Sequence, residues 1–419
     1  MESKKIIAIF AVVIIVAAAG AFAISALMSD DDSFAEAGDQ GAVFGNADGD
    51  CEVDSRDIEL IEAIIAGEYD AADYPFADAN CDGTVDEKDV SMTEDIIDRK
   101  NMRVNVLDVN GDIISVQFPV TKVMVTGGTN SRVMTAVLGI EDIMVAAYVG
   151  STIDRVMDKT LYSYIDQGKI LALSGDNTAA DFDELSKLDF GTAIIEEDAM
   201  SDDNIKTLQS WGVDVLEMNL TGAFETMGVI STIGILTGDE DRANDYYDYC
   251  EDLYDTIEKN LGDKFGETTV MCATMSNSVS GTLSDYYAAT IIAGGNNLAD
   301  WEDKTKKFNV GDTWLLDPKY QSEYMFHFKS LTYESEPSTA DLDKYRKYFE
   351  NTSAYKDGKY YLINGLCPTP VRVAYMAELL NPECFDEGWA DKIHQKYFDQ
   401  FIEGSDWDVT EHNSWWSVA

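Results

Sequence analysis

The chain has 419 residues, enough for two to four domains, and at 45% apolar content it can build real cores. Thirty basic residues stand against 78 acidic ones, for a net charge of −48; such a surface repels nucleic acid and anionic membranes. Three histidines argue against a multi-histidine metal site, and six cysteines without a C-x-x-C pair argue against a zinc ribbon or a thioredoxin-type centre.

Residues 1–28 carry no charge from Ile6 to Met28, a run long enough to cross a bilayer. Lys4 and Lys5 precede it and Asp30, Asp31 and Asp32 follow, so the positive-inside rule places the bulk of the chain outside the cell membrane. We read a single-pass anchor, with a signal peptide cleaved after Ala21-Phe22-Ala23 as the alternative. Residues 29–42 form a short acidic linker. In an exported chain Cys51 with Cys81, and Cys367 with Cys384, are candidate disulfides, free thiols being the alternative.

Residues 43–104 hold the sharpest pattern. NADGDCEVDSRD spaces Asn46, Asp48, Asp50, Asp54 and Asp57 around the carbonyl of Glu52. DANCDGTVDEKD repeats this 32 residues later with Asp78, Asn80, Asp82, Asp86 and Asp89 around the carbonyl of Thr84. Calcium takes six to eight oxygens, which alternate residues of a twelve-residue loop can supply, so two Ca2+ sites are expected. Gly83 stands at the sharp turn of the second loop, where the first has Cys51. Both loops end on Asp where an EF-hand has Glu, and each runs into a helical pattern, IELIEAIIAG or VSMTEDIIDRK. Paired loops each followed by one helix resemble the type I dockerin module, which implies a small all-α calcium domain and a cohesin as partner. Since the ligands lie within this module, removing calcium is expected to unfold residues 43–100 alone. Asp108, Asn110 and Asp112 look similar, but their twelfth place is Pro119 and the flanks alternate, so Asn110-Gly111 reads as a hairpin turn with no calcium.

Residues 105–236 alternate strand and helix: KVMVTGG, DIMVAAYVG, KILALSG, FGTAIIEED and VDVLEMN are strands of a parallel sheet with ligand-facing loops at their carboxyl ends. Residues 237–262 carry Ala243, Tyr246, Tyr247, Cys250, Leu253, Tyr254, Ile257 and Leu261 at helical spacing. Thr237 with Glu240 reads as a capping box and Gly262 as the stop, giving a strut of roughly 30 Å. In residues 263–419 the α/β pattern restarts, with ETTVMCATMSNS, SEYMFHFKS and KYYLINGLC as strands and TPVRVAYMAELLNPECF as a helix.

From about residue 105 to 404 the chain resembles the class III periplasmic binding proteins, the iron–siderophore, haem and cobalamin receptors of ABC importers. The likeness rests on DVNGDIISVQFPVTKVMVTGG, DELSKLDFGTAII, GILTGDEDRANDYYDYCEDL, IIAGGNNLAD and YYLINGLCPTPVRVAYMAELLNPECF, in that order. It implies an α/β fold of two Rossmann-like lobes joined by one long helix, with a ligand held between them and an ABC permease as partner. In that family each lobe offers the permease an acid; Glu184 in DFDEL matches the first, and Asp312 in VGDTW is the nearest acid to the second. Candidate ligand contacts from strand ends are Thr129, Asn130, Tyr148 and Glu197 in the first lobe, and Asn277, Trp301, His327, Asn364 and Arg372 in the second. Aromatic faces suit a large planar chelate, and Arg372 could pair with its carboxylates, although the acidic exit loops favour a neutral or cationic ligand. Without G-x-S-x-G, H-E-x-x-H or a serine–histidine–acid set, binding rather than catalysis is expected. The competing reading is a dockerin-bearing surface scaffold that docks to a cohesin.

Overall fold

The computed structural model describes residues 42–127, 134–149, 154–173, 179–196, 199–219, 222–273, 278–281, 284–299, 307–309 and 317–419. They divide into two compact units, one of residues 42–219 with 224–248 and one of 222–223 with 249–419. Among the described residues no helix is long and apolar enough to cross a membrane; the expected anchor, residues 1–28, lies outside them.

The N-terminal unit starts with two loop–helix repeats. Helices α1 (Ser55–Ile65) and α2 (Glu87–Ile97) begin at Asp54 and Asp86, whose side chains accept the backbone N–H two residues on. In both, the third helical residue (Asp57, Asp89) reaches back to the cap N–H and closes a capping box. Leu60, Ile61 and Ile64 of α1 pack with Ala47, Ala77 and Val90 in one small core. An antiparallel hairpin follows, β1 (Met102–Leu107) and β2 (Ile113–Phe118), with Leu107 opposite Ile113. Its turn is held by Asp108 Oδ1, which accepts the N–H groups of Asn110 and Asp112, both at 2.9 Å.

Strands β3 (Val123–Val125), β4 (Met144–Tyr148), β5 (Leu171–Leu173), β6 (Thr192–Glu196) and β7 (Asp214–Met218) make an all-parallel sheet ordered β5-β4-β3-β6-β7. They are the five strands expected from the apolar runs. The order reverses at β3, as in doubly wound sheets. Of the connecting helices, α3 (Lys159–Asp166), α4 (Ala179–Leu185) and α5 (Asp202–Ser210), the last two place Leu185 and Leu208 in a core with Met124, Ala146 and Ile195.

Helix α6 (Ala223–Thr237) is apolar all round, and Ile230, Ile233, Ile235 and Leu236 are buried. Thr237 is its last residue, and its hydroxyl donates to Ile233 O at 2.8 Å. The expected capping box with Glu240 is therefore not formed. Instead Gly238, at φ +94°, breaks the helix, and Asp239 O accepts the N–H groups of Arg242 and Ala243 to start α7 (Glu240–Leu261). A Cβ on Gly234 would lie 2.8 Å from the Ala243 Cβ, so the two helices meet where only glycine fits. The expected stripe on α7 is buried at Ala243, Tyr246, Cys250, Leu253, Tyr254, Ile257 and Leu261. The helix ends before Gly262 at φ +50°, and the division between units falls inside it, after Asp248.

In the C-terminal unit β8 (Thr268–Ala273) extends through β9 (Ser278–Ser280), with β10 (Gly295–Asn297) also beside it, to β11 (Lys307–Asn309). On its other side come β12 (Tyr324–Lys329) and β13 (Tyr360–Asn364), both parallel, and the antiparallel edge strand β14 (Trp415–Ser417). The helices of this unit include α8 (Asp285–Ile292), α9 (Thr339–Phe349), α10 (Ser353–Lys356), α11 (Thr369–Leu380) and α12 (Trp389–Phe401). All six cysteines are free thiols, so neither candidate disulfide forms.

Candidate functional sites: a buried arginine and two acidic loops

The two acidic loops close in the same way. Asp57 accepts the N–H groups of Asp48 at 3.2 Å and Asp54 at 2.7 Å; Asp89 accepts those of Asn80 at 3.1 Å and Asp86 at 2.8 Å. The sequence repeat is thus a repeat of hydrogen bonds, from the twelfth position to the third and ninth. Burial, then the charge of Asp48, pushes the Asp57 carboxyl up to about 8. Burial, then the charge of Asp50, raises Asp48. Like charges are crowded where water screens them poorly, and a cation relieves that. Buried Asn80 Nδ2 has no hydrogen-bond partner, and turning the amide over would aim an oxygen there instead. The donors are oxygens, so in residue type, though not in an assembled geometry, the loops match what a hard divalent cation such as calcium takes. Arg56 meanwhile pairs with Asp50 and Asp54, and Lys88 with Asp82 and Asp86. Among the described residues no three acidic, cysteine or histidine side chains are placed together so that they could hold a metal ion.

The other site lies in the C-terminal unit, where β13 passes into α11. Strand β13 ends at Asn364, whose Oδ1 accepts the N–H groups of Leu331 and Leu366, both at 3.0 Å, and so pins two loops. The chain then turns through Pro368 into α11, and Arg372 stands in its first turn. Its guanidinium carbon lies 5.3 Å from the ring centre of Tyr286 and 6.0 Å from that of Phe328, two rings stacked on each other at 4.4 Å. Arg372 Nη2 donates to Thr369 Oγ1 at 2.6 Å. Arg372 is only 9% exposed, yet among the described residues no carboxylate pairs with it. Buried guanidinium groups ordinarily come with an acid. One held by ring faces and a hydroxyl keeps donors in hand for an incoming anion.

No protein-family model and no curated protein matches the chain. Solved structures do. Helicobacter pylori CeuE, in its Ni-His complex, superposes with a TM-score of 0.57 at 18% identity, over 74% of this chain and 99% of that one. Veillonella parvula FepB, a TroA-like periplasmic binding protein, gives 0.56 at 14% identity, over 75% and 99% of the two chains. Haemophilus influenzae MolA, the molybdate periplasmic binding protein of an ABC transporter, gives 0.55 at 14% identity, over 72% and 98%. The fold is that of a periplasmic binding protein. At these identities the likeness carries the architecture and not the ligand.

Within this fold the expected contacts separate. Thr129, Asn130, Glu197, Asn277 and Trp301 lie outside the described residues, as does Asp312. Tyr148 is the half-buried last residue of β4, at a strand's carboxyl end. His327 is a correction. It is fully buried in the middle of β12, its Nδ1 meets Tyr360 Oη at 2.9 Å, and its ring lies 3.9 Å from that of Tyr345. Burial, then the charge of Lys344, holds it down near pKa 3. It is a core residue, neutral at physiological pH, on the face of the sheet opposite Phe328. Asn364 is buried, and its side-chain oxygen already serves two backbone donors. Glu184 is exposed on α4 and paired with Lys187. Sequence reasoning missed Tyr286, Phe328 and Thr369; the alternation of YMFHFK, which sets Phe328 apart from His327, was the available signal for one of them.

Proposed function

We propose that this chain is the solute-binding component of an ABC importer, capturing an iron chelate, haem or cobalamin-like ligand outside the membrane and presenting it to the permease. Its periplasmic-binding-protein fold supports the capture role, as do Tyr148 at the carboxyl end of β4 and Arg372 in the first turn of the helix that follows β13. The observation that carries the reading is Arg372, a buried cation beside two stacked rings with no carboxylate partner among the described residues, which suits a planar or chelating ligand bearing an anionic group. Glu184 is the proposed docking acid of the N-terminal unit, and residues 6–28 the proposed tether. Asn46, Asp48, Asp50, Asp54, Asp57 and the carbonyl of Glu52 would hold one calcium ion. Asp78, Asn80, Asp82, Asp86, Asp89 and the carbonyl of Thr84 would hold a second. Calorimetric titration with ferric siderophores, haem and cobalamin, in calcium buffer, tests the reading. Saturable binding of one of them, weakened by Arg372→Met, supports it, whereas no binding of any of the three sinks it.

A further inference from the structure

The two acidic loops share one hydrogen-bonding scheme but not one environment. In the second loop Asp82, Gly83 and Thr84 are exposed, and Gly83 takes φ +90° at the sharp turn. In the first loop Asn46, Asp48 and Cys51 are buried. Cys51 occupies the glycine's place without a positive φ. Its sulfur lies 2.9 Å from Ser231 Oγ on α6, and that contact is buried. The next residue, Glu52, accepts a hydrogen bond from Asn244 Nδ2 on α7. The departure from glycine that looked like a blemish in the first loop is the point at which the module touches its neighbour.

The rest of the module grips the same corner. Arg99, just beyond α2, donates from Nη1 to Ile235 O at 3.1 Å and pairs with Glu240 at 2.9 Å, and its Nη2 reaches Leu236 O at 3.4 Å. The backbone N–H of Ala42 donates to Thr232 Oγ1 at 2.8 Å. The last turns of α6 and the first turns of α7 are therefore held by groups at both ends of residues 42–99, a backbone N–H at Ala42 and a side chain at Arg99.

We infer that the first loop is a cation-controlled latch on the α6–α7 corner, its partner being this chain's own helices. The inference rests on the calcium reading above. An ion held by the carboxylates of Asp48 and Asp50 and by the carbonyl of Glu52 fixes the backbone on both sides of Cys51. It thereby fixes the Cys51–Ser231 and Glu52–Asn244 contacts, which a loop without the ion holds only by its own hydrogen bonds. In the second loop the matching residues, Gly83 and Thr84, are exposed. Loss of the ion then loosens the corner instead of melting a detached domain.

Amide hydrogen exchange of the full chain in calcium chloride and in chelator, with calcium binding followed by calorimetry on the same samples, tests this. Calcium is expected to slow exchange at least tenfold in residues 231–248. In the double variant Ser231→Ala/Asn244→Ala, which alters neither loop, calcium should still bind with unchanged stoichiometry while the added protection at 231–248 disappears. Calcium binding with no change in exchange there would overturn the latch and leave the calcium reading intact. The same holds if protection survives in the double variant. An absence of binding heat would overturn both.

Discussion

Two arginines in the molecule are treated in opposite ways. Arg99, at the α6–α7 corner, is a third exposed, faces Glu240 and covers the carbonyls that end α6. Arg372, at the start of α11, is more deeply buried, faces rings and a hydroxyl, and among the described residues has no acid. The first is a cation whose charge is used up holding two helices together. The second keeps a charge in reserve at some cost to the folded chain, and such reserve is expected at binding sites. The comparison teaches what to look for in a candidate binding cation: burial together with the lack, among the described residues, of a counter-charge.

The largest effect is expected at the reserved charge. Arg372→Met keeps the bulk and removes the cation, so ligand affinity should fall about 100-fold, or ~3 kcal/mol for lost charge-assisted hydrogen bonds, without a lower melting temperature. A fall in melting temperature with affinity intact would make Arg372 structural, like Arg99, and erase the contrast.

The next prediction concerns buried groups that stay neutral. His394 is fully buried, bonded to Tyr333 and Tyr375 at 3.0 Å each, and burial lowers it to about 3, as with His327. Both folded values lie below the unfolded value, so the unfolded chain takes up protons first. Stability is complete above about pH 6.5 and is lost as pH falls toward the folded values. Between pH 7 and 5.5 the pair should cost about 2.5 kcal/mol, measured by denaturant unfolding. His394→Gln should flatten that slope by about half; an unchanged slope would show that His394 titrates alike in both states.

At the other corner, Gly234→Ala drives a methyl against Ala243 and should cost ~2 kcal/mol of stability by overpacking, read as a lower denaturation midpoint. Smaller still, Arg99→Ala should cost ~1 kcal/mol, since its pair is partly exposed and screened, and should leave ligand affinity unchanged. Loss of binding in Arg99→Ala would make both cations functional and break the comparison from the opposite side.

Much of this was legible in the sequence because the physics was local. The five strands of the first sheet announce themselves as short apolar runs between turns, and the stripe on α7 has a clear period. The acidic loops show a spacing that the fold repeats as hydrogen bonds. Helix α6 did not show, because residues buried on every side leave no polar face to give a period. Thr237 was misread for the same reason: without α6 in view, a threonine before a helix looks like a cap, when it is the end of the preceding helix. His327 and Phe328 are neighbours in sequence, and only pairing within the sheet decides which meets α9 and which meets Arg372. The departure at Cys51 was visible, but its cause lies 180 residues away at Ser231.

The short strand β14 carries a last consequence. It runs antiparallel along β13, with Leu362 opposite Trp416, and so occupies backbone donors and acceptors that would otherwise line an open margin. Open margins of that kind recruit strands from other molecules. The margin left on this side of the sheet is then the three residues of β14 itself, and so short an edge offers little to a strand from another molecule.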